Sequence, residues 1–197
     1  MSTPLILIGY RATGKTTLAR LLAKRLNAEW FDSDLLIENR AGKSIARIFA
    51  EDGEPLFRDW EADEIEKIVL DSKRKGRIIV LATGGGAILR ESTRVFLKQH
   101  GFVVWLTATK ETIYHRMISD TKTAERRPDL TNLPAEEEIA LLLEKRKPFY
   151  DATMHFTIET ENESLENLVE MILERYFNLN CQRNRCDLAK PLVPLAF

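Results

Sequence analysis

The chain has 197 residues, enough for one domain with a sizeable core, and its 44% hydrophobic and 30% charged composition is ordinary for a globular protein. A formal charge of −1 argues against any global pull toward nucleic acid or an anionic membrane. No apolar run approaches the roughly 20 residues a membrane span needs. The chain also enters a strand pattern almost at once, without the regions of a secretory signal, so a cytoplasmic location is expected.

Leu5-Ile6-Leu7-Ile8 is a short apolar run suited to a central parallel strand. Gly9-Tyr10-Arg11-Ala12-Thr13-Gly14-Lys15-Thr16 follows and fits the phosphate-binding pattern G-x-x-x-x-G-K-[ST] without mismatch. Leu18, Leu21, Leu22 and Leu26 then recur at helical spacing, so a helix is predicted from about Lys15. Such a loop turns backbone N–H groups into an anion nest at a helix N-terminus. Ala12, Thr13, Gly14, Lys15, Thr16 and Thr17 are the expected nucleotide contacts. Lys15 is placed to reach the β- and γ-phosphates, and the Thr16 hydroxyl to ligate Mg²⁺.

Ala28 to Phe31 reads as a second strand ending at Asp32-Ser33-Asp34, and the helix after it is expected to stop at Gly42. Ser44 is placed to cap a short helix through Phe49. After the break at Gly53-Glu54-Pro55, a longer helix carries Phe57, Trp60, Ile65, Ile68 and Val69 and ends at Gly76. Ile78 to Ala82 is a buried-strand pattern with Gly84-Gly85-Gly86 at its carboxyl end. A helix over 88–99, a strand over Phe102 to Leu106 and a helix capped by Thr109 follow. The apolar pattern lapses from about Ser119 to Pro134, around Arg126-Arg127-Pro128. Helix resumes from Ala135 to Lys147, then a strand at Phe156 to Ile158 and a last helix marked by Leu165, Leu168, Val169, Ile172 and Leu173. From Asn178 the chain reads as an aperiodic extension. Alternating strands and helices imply an α/β domain with a parallel sheet, whose ligands bind at the carboxyl ends of the strands. Gly9–Thr16, Asp32–Asp34 and Gly84–Gly86 each follow a predicted strand and should meet in one crevice.

Aspartates after a strand serve either as helix caps or, beside a phosphate loop, as groups for the metal and the acceptor. No acidic residue ends the Ile78–Ala82 strand, so Asp32 is the nearest metal-side carboxylate, and Asp34 is placed to take an acceptor proton. Arg146 continues the stripe of Ile139, Leu142 and Leu143, an awkward place for a cation without a partner. Arg58 stands at a helix start, where the macrodipole disfavours it. Two inward guanidinium groups suit an anionic small substrate. The glycine triplet reads either as a flexible turn or as a site of close backbone approach, and Arg126 and Arg127 as a surface patch or a lid. His100, His115 and His155 show no pairing or metal spacing. Cys181 and Cys186 read as reduced thiols, with a disulfide or metal clip as the alternative.

Asp32-Ser33-Asp34, Phe57-Arg58, Ala82-Thr83-Gly84-Gly85-Gly86, Arg127-Pro128 and Arg146 with Pro148-Phe149-Tyr150, taken in that order behind the phosphate loop, resemble the shikimate kinase family. The resemblance runs from about Leu5 to Tyr176. It implies a P-loop three-layer α/β/α fold with a five-stranded parallel sheet in the order 2-3-1-4-5. It also implies a kinase domain over 1–177, with a lid at about 119–134 and a substrate-binding subdomain. The implied activity is MgATP-dependent phosphorylation of the 3-hydroxyl of shikimate, toward chorismate and the aromatic amino acids, with a monomer expected. In such enzymes the residue matching Asp34 binds the ring hydroxyls. Those matching Arg58 and Arg146 hold the carboxylate, Gly84, Gly85 and Gly86 add backbone contact, and the residue matching Arg127 reaches the ATP phosphates. Lys15, Asp34 and Arg127 are thus the expected catalytic residues, and Thr16 and Asp32 the expected metal side. Two departures stand out: Ala12 replaces a family glycine, and the extension over 178–197 has no family counterpart. A gluconate or nucleotide kinase, or a non-catalytic nucleotide-binding module, are the competing readings.

Overall fold

The computed structural model describes residues 3–119 and 133–188, with side chains as far as residue 179. Of the lid expected at about 119–134, residues 120–132, including Arg126, Arg127 and Pro128, lie outside the described residues, as does the chain from 189 on. In order the elements are β1 (Leu5–Ile8), α1 (Lys15–Leu26), β2 (Glu29–Asp32), α2 (Ser33–Ala41), α3 (Ile45–Glu51) and α4 (Glu54–Arg74). Then come β3 (Ile79–Ala82), a single 3₁₀ turn (Ala87–Leu89), α5 (Glu91–His100), β4 (Phe102–Thr107), α6 (Lys110–Ser119), α7 (Ala135–Thr153), β5 (Phe156–Glu159) and α8 (Leu165–Leu188).

The strands form one parallel sheet in the order β2-β3-β1-β4-β5. β1 lies at its centre, with Leu5 opposite both Val80 and Phe102. All four β1 side chains are buried, and the twofold alternation of a strand sends them to opposite faces. Leu5 and Leu7 join Leu18 and Leu22 of α1 and Leu168, Val169 and Ile172 of α8. Ile6 and Ile8 join Ile65 and Val69 of α4, Leu97 of α5 and Tyr150 of α7. Each such fully buried aliphatic side chain contributes about 1.5–3 kcal/mol of transfer free energy, which is why β1 reads as an unbroken apolar run.

Two further clusters matter for the site. Ile37, Ile45, Ile48 and Phe57 bind α2, α3 and α4 into a small unit beyond the β2 edge. Tyr10, Ile113 and Ile139, with Met117, Leu142 and Leu143 against them, join the phosphate loop to α6 and α7.

The largest departures from the expected element bounds fall in three places, the rest being shifts of a residue or two. The helix expected over 88–99 divides at Arg90, whose extended backbone separates the 3₁₀ turn from α5. α7 continues past Lys147 to Thr153 with Pro148 inside it. An interior proline costs about 3 kcal/mol; the turn beyond it is held by buried Tyr150 and Thr153, whose hydroxyls donate to the Gly85 and Phe149 carbonyls. α8 runs past Asn178 to Leu188, so Cys181 and Cys186 fall on helical backbone. Leu179 extends the buried stripe of Ile172, Leu173 and Tyr176 by one more turn, a continuation masked in the sequence by polar neighbours.

Candidate functional site

Three connections converge at the carboxyl ends of adjacent strands: Gly9–Thr16 after β1, Asp32 closing β2, and Thr83–Gly86 after β3. The phosphate loop turns through two left-handed residues, Gly14 at φ 89° and Ala12 at φ 61°. An L-residue in that region costs about 1–2 kcal/mol, so Ala12 adopts a conformation that a glycine would hold without strain. Thr13 Oγ1 donates to the Tyr10 carbonyl at 2.8 Å. Lys15 is buried, and its Nζ donates to the Gly9 and Tyr10 carbonyls at 2.9 and 2.7 Å. Its ammonium group is therefore held along the loop it serves.

Asp32 caps a helix and meets the phosphate loop at the same time. Its Oδ1 accepts from the Asp34 N–H at 3.0 Å, capping α2, while its Oδ2 accepts from Thr16 Oγ1 at 2.6 Å. That leaves a hydroxyl and a carboxylate side by side at the mouth of a cleft of about 580 Å³, lined by the phosphate loop, Asp32, Asp34 and Arg116. These are hard oxygen donors, few in number, which suits Mg²⁺ completed by phosphate oxygens and water rather than an all-protein cage. Among the described residues no three His, Cys, Asp or Glu side chains form a metal-holding group. Arg116 braces the cleft from α6: it donates to Thr160 Oγ1 at 3.0 Å, to the Thr160 carbonyl at 2.7 Å and to the Ala12 carbonyl at 3.4 Å.

A smaller cavity adjoins this cleft, with Arg11, Asp34 and Ile45 common to both linings. Asp34, Arg58, Arg146, Gly84, Gly85 and Gly86 all line it, so the residues expected to hold an acceptor stand together. Arg58 enters from the second turn of α4. It is clamped by Glu61 Oε2 at 2.6 Å and by Glu54 Oε1 at 3.0 and 3.1 Å. These acids offset the unfavourable helix dipole around a guanidinium that Phe57 flanks at 5.0 Å. Arg146 is only 7% exposed and donates to the Gly85 carbonyl at 3.2 Å. Tyr150 donates to the same carbonyl at 2.9 Å, and burial pushes its phenol pKa up.

The glycines answer to space. A Cβ on Gly84 would lie 2.5 Å from both Asp34 Oδ1 and Glu61 Oε1, and one on Gly86 would strike the Arg58 guanidinium. The Gly84 N–H is committed to Ser33 Oγ at 2.8 Å, so that glycine contributes close approach more than a donor.

Several functional side chains carry weak sequence signals. Glu61 is 2% exposed, and its carboxyl pKa is raised by burial despite the opposing pull of Arg58. Its Oε1 has no hydrogen-bond partner among the described residues. An acid three residues after an arginine is common on exposed helices, and nothing in that spacing marks this one as buried. Arg11 occupies a free position of the phosphate-loop pattern, and its partner Glu138 is 127 residues away. Two of the three histidines take structural positions: His155 Nδ1 accepts from the Val103 N–H at 3.1 Å, and His100 Nδ1 lies 3.1 Å from the Phe96 carbonyl.

The family model described as "Shikimate kinase" matches residues 11–177. The chain is 39% identical over 170 residues to the shikimate kinase of Rhodopirellula baltica, an alignment covering 86% of this chain and 88% of that protein. It is 41% identical over 168 residues to the shikimate kinase of Burkholderia thailandensis, covering 85% and 86%. Among solved structures it is similar to the shikimate kinase of Acinetobacter baumannii in complex with shikimate. The TM-score is 0.80 at 35% identity, over 90% of this chain and 94% of that one.

Proposed function

The chain belongs to the shikimate kinase family, and we propose that the two adjoining cavities of this ATP-dependent kinase divide its substrates, ATP on the phosphate loop and shikimate beneath it. The reaction moves the ATP γ-phosphate to the 3-hydroxyl of shikimate, so the gluconate, nucleotide-kinase and non-catalytic readings are not favoured. In our reading the backbone from Ala12 to Thr17 cradles the phosphates, and Lys15 neutralises the β- and γ-oxygens. Thr16 and Asp32 would hold Mg²⁺, which would supply charge neutralisation at the phosphates. Asp34 orients the acceptor hydroxyl and takes its proton. Arg58 and Arg146 grip the shikimate carboxylate, and the space kept by Gly84–Gly86 lets the ring lie against backbone. Arg127 is assigned to the phosphates on the family pattern alone, and action as a cytoplasmic monomer is part of the same proposal.

Phosphoryl transfer passes through a loose transition state, so placement and charge do most of the work. The observation that carries the reading is the meeting of Arg58, Arg146 and Asp34, from α4, α7 and α2, in a cavity sharing a wall with the phosphate loop. Losing one charged partner of a desolvated pair costs on the order of 2–5 kcal/mol. Arg146→Ala should therefore raise the shikimate KM at least tenfold and leave the ATP KM nearly constant. A shikimate analogue without the carboxylate should be poor for the parent enzyme and lose little more in the variant. Normal shikimate binding by a folded Arg146→Ala enzyme would remove the arginine from the acceptor site.

A further inference from the structure

Arg11 and Glu138 form a buried ion pair, with Arg11 Nη2 2.7 Å from Glu138 Oε1 and side chains only 8% and 2% exposed. It ties the crest of the phosphate loop to the first turns of α7. The same helix face, continued at four-residue steps, carries Arg146 and Tyr150. Both of these hold the Gly85 carbonyl, at 3.2 and 2.9 Å. Gly85 in turn packs on the loop, since a Cβ there would lie 3.4 Å from the Arg11 nitrogen and 3.5 Å from the Gly9 carbonyl oxygen. Tyr10 sits in the middle, 1% exposed, with the Arg11 and Arg146 guanidinium carbons each 5.6 Å from its ring centre. One stripe of α7 therefore grips both the ATP-side loop and the turn that lines the acceptor pocket.

We propose that the Arg11–Glu138 pair is a positioning element for phosphoryl transfer, fixing the phosphate loop relative to the arginine and glycine turn that receive shikimate. The proposal rests on the acceptor-site reading of Arg146. A stabilising role alone fits the spot poorly. Buried ion pairs are often no better for stability than apolar residues of similar volume. The surroundings also leave polar atoms unsatisfied, because Arg11 Nε and Tyr10 Oη are buried with no hydrogen-bond partner among the described residues. Such a cost is retained where direction matters, and a short charged hydrogen bond fixes direction in a way that apolar packing does not. Transfer between bound reactants is sensitive to that direction, since a misplacement of about 1 Å is worth about 10²-fold in rate.

The test is the double variant Arg11→Met/Glu138→Met, which removes both charges together and leaves neither stranded. It should melt at or above the parent temperature, lose about tenfold or more in kcat at saturating ATP and shikimate, and keep both KM values within about threefold. Arg11→Lys, which can still pair with Glu138, should recover most of that kcat. Glu138→Gln, which keeps shape and acceptor but not charge, should lose about threefold in kcat, and it decides the matter if the double variant does not fold. Parent-like kcat in the folded double variant, or in Glu138→Gln, would reduce the pair to packing. If Arg146→Ala raises the shikimate KM while the pair variants keep normal kcat, the positioning role falls and the site reading stands. An unchanged shikimate KM in Arg146→Ala would overturn the site reading, and the positioning role with it.

Discussion

The phosphate cleft is lined in large part by one continuous stretch, Arg11 to Leu18, with Asp32, Asp34, Thr83 and Arg116 among the residues that join it from elsewhere. The acceptor pocket draws Asp34 from α2, Arg58 and Glu61 from α4, three glycines from the turn after β3, and Arg146 from α7. A contiguous site is held by local backbone geometry, so it depends on few distant contacts. A dispersed site exists only while several packed elements keep their mutual placement, here through the Ile37–Ile45–Ile48–Phe57 cluster on one side and α7 on the other. Charge is handled differently too. Lys15 rests on loop carbonyls, whereas Arg58 is held by two carboxylates, of which Glu61 is almost wholly buried.

The largest effect should come from the contiguous side. Lys15→Ala should lower kcat by about 10³-fold, as expected for removing a preorganised charge aimed at the transferring group. Its melting temperature should stay close to the parent value. Parent-like turnover would show that the two cavities do not differ in the way proposed.

Arg58→Ala sharpens the contrast within the dispersed side. The shikimate KM should rise at least tenfold, as for Arg146→Ala, but Arg58→Ala should also cost up to about 3 kcal/mol of stability because Glu61 is left buried without its cation. Denaturant titration of the two variants separates them. Equal stability losses would mean that Glu61 does not depend on Arg58.

Glu61 also makes stability depend on pH with a definite sign. Its folded pKa is raised above the ordinary 4.5 by burial, so the folded protein holds that proton to higher pH than the unfolded chain does. Its contribution is fully present below 4.5 and is lost as pH rises through the folded value. Glu61→Gln should flatten that part of the stability–pH curve above 4.5, and an unchanged slope would assign it to other groups.

The smallest effect belongs to Ala12. Ala12→Gly should relieve about 1–2 kcal/mol of left-handed strain and give back about 0.5–1 kcal/mol to unfolded-state freedom. A net stabilisation of at most about 1.5 kcal/mol should follow, with the ATP KM within about twofold. Destabilisation would mean that the Ala12 methyl makes contacts outweighing its strain.

Read by itself, the sequence carries what is local or periodic: the strand–loop–helix around Lys15, the caps at Ser44 and Thr109, and the buried stripe containing Arg146. The order of the sheet and the identity of the acceptor came from family resemblance, since parallel pairing joins strands far apart in the chain and no single spacing encodes it. Tertiary structure alone decided that Glu61 is buried against Arg58, that Arg11 meets Glu138 across 127 positions, and that α7 survives Pro148 to seat Tyr150 under Gly85. Each depends on which elements pack side by side, and a lone acid on a helix reads the same in sequence whether that packing buries it or leaves it in water.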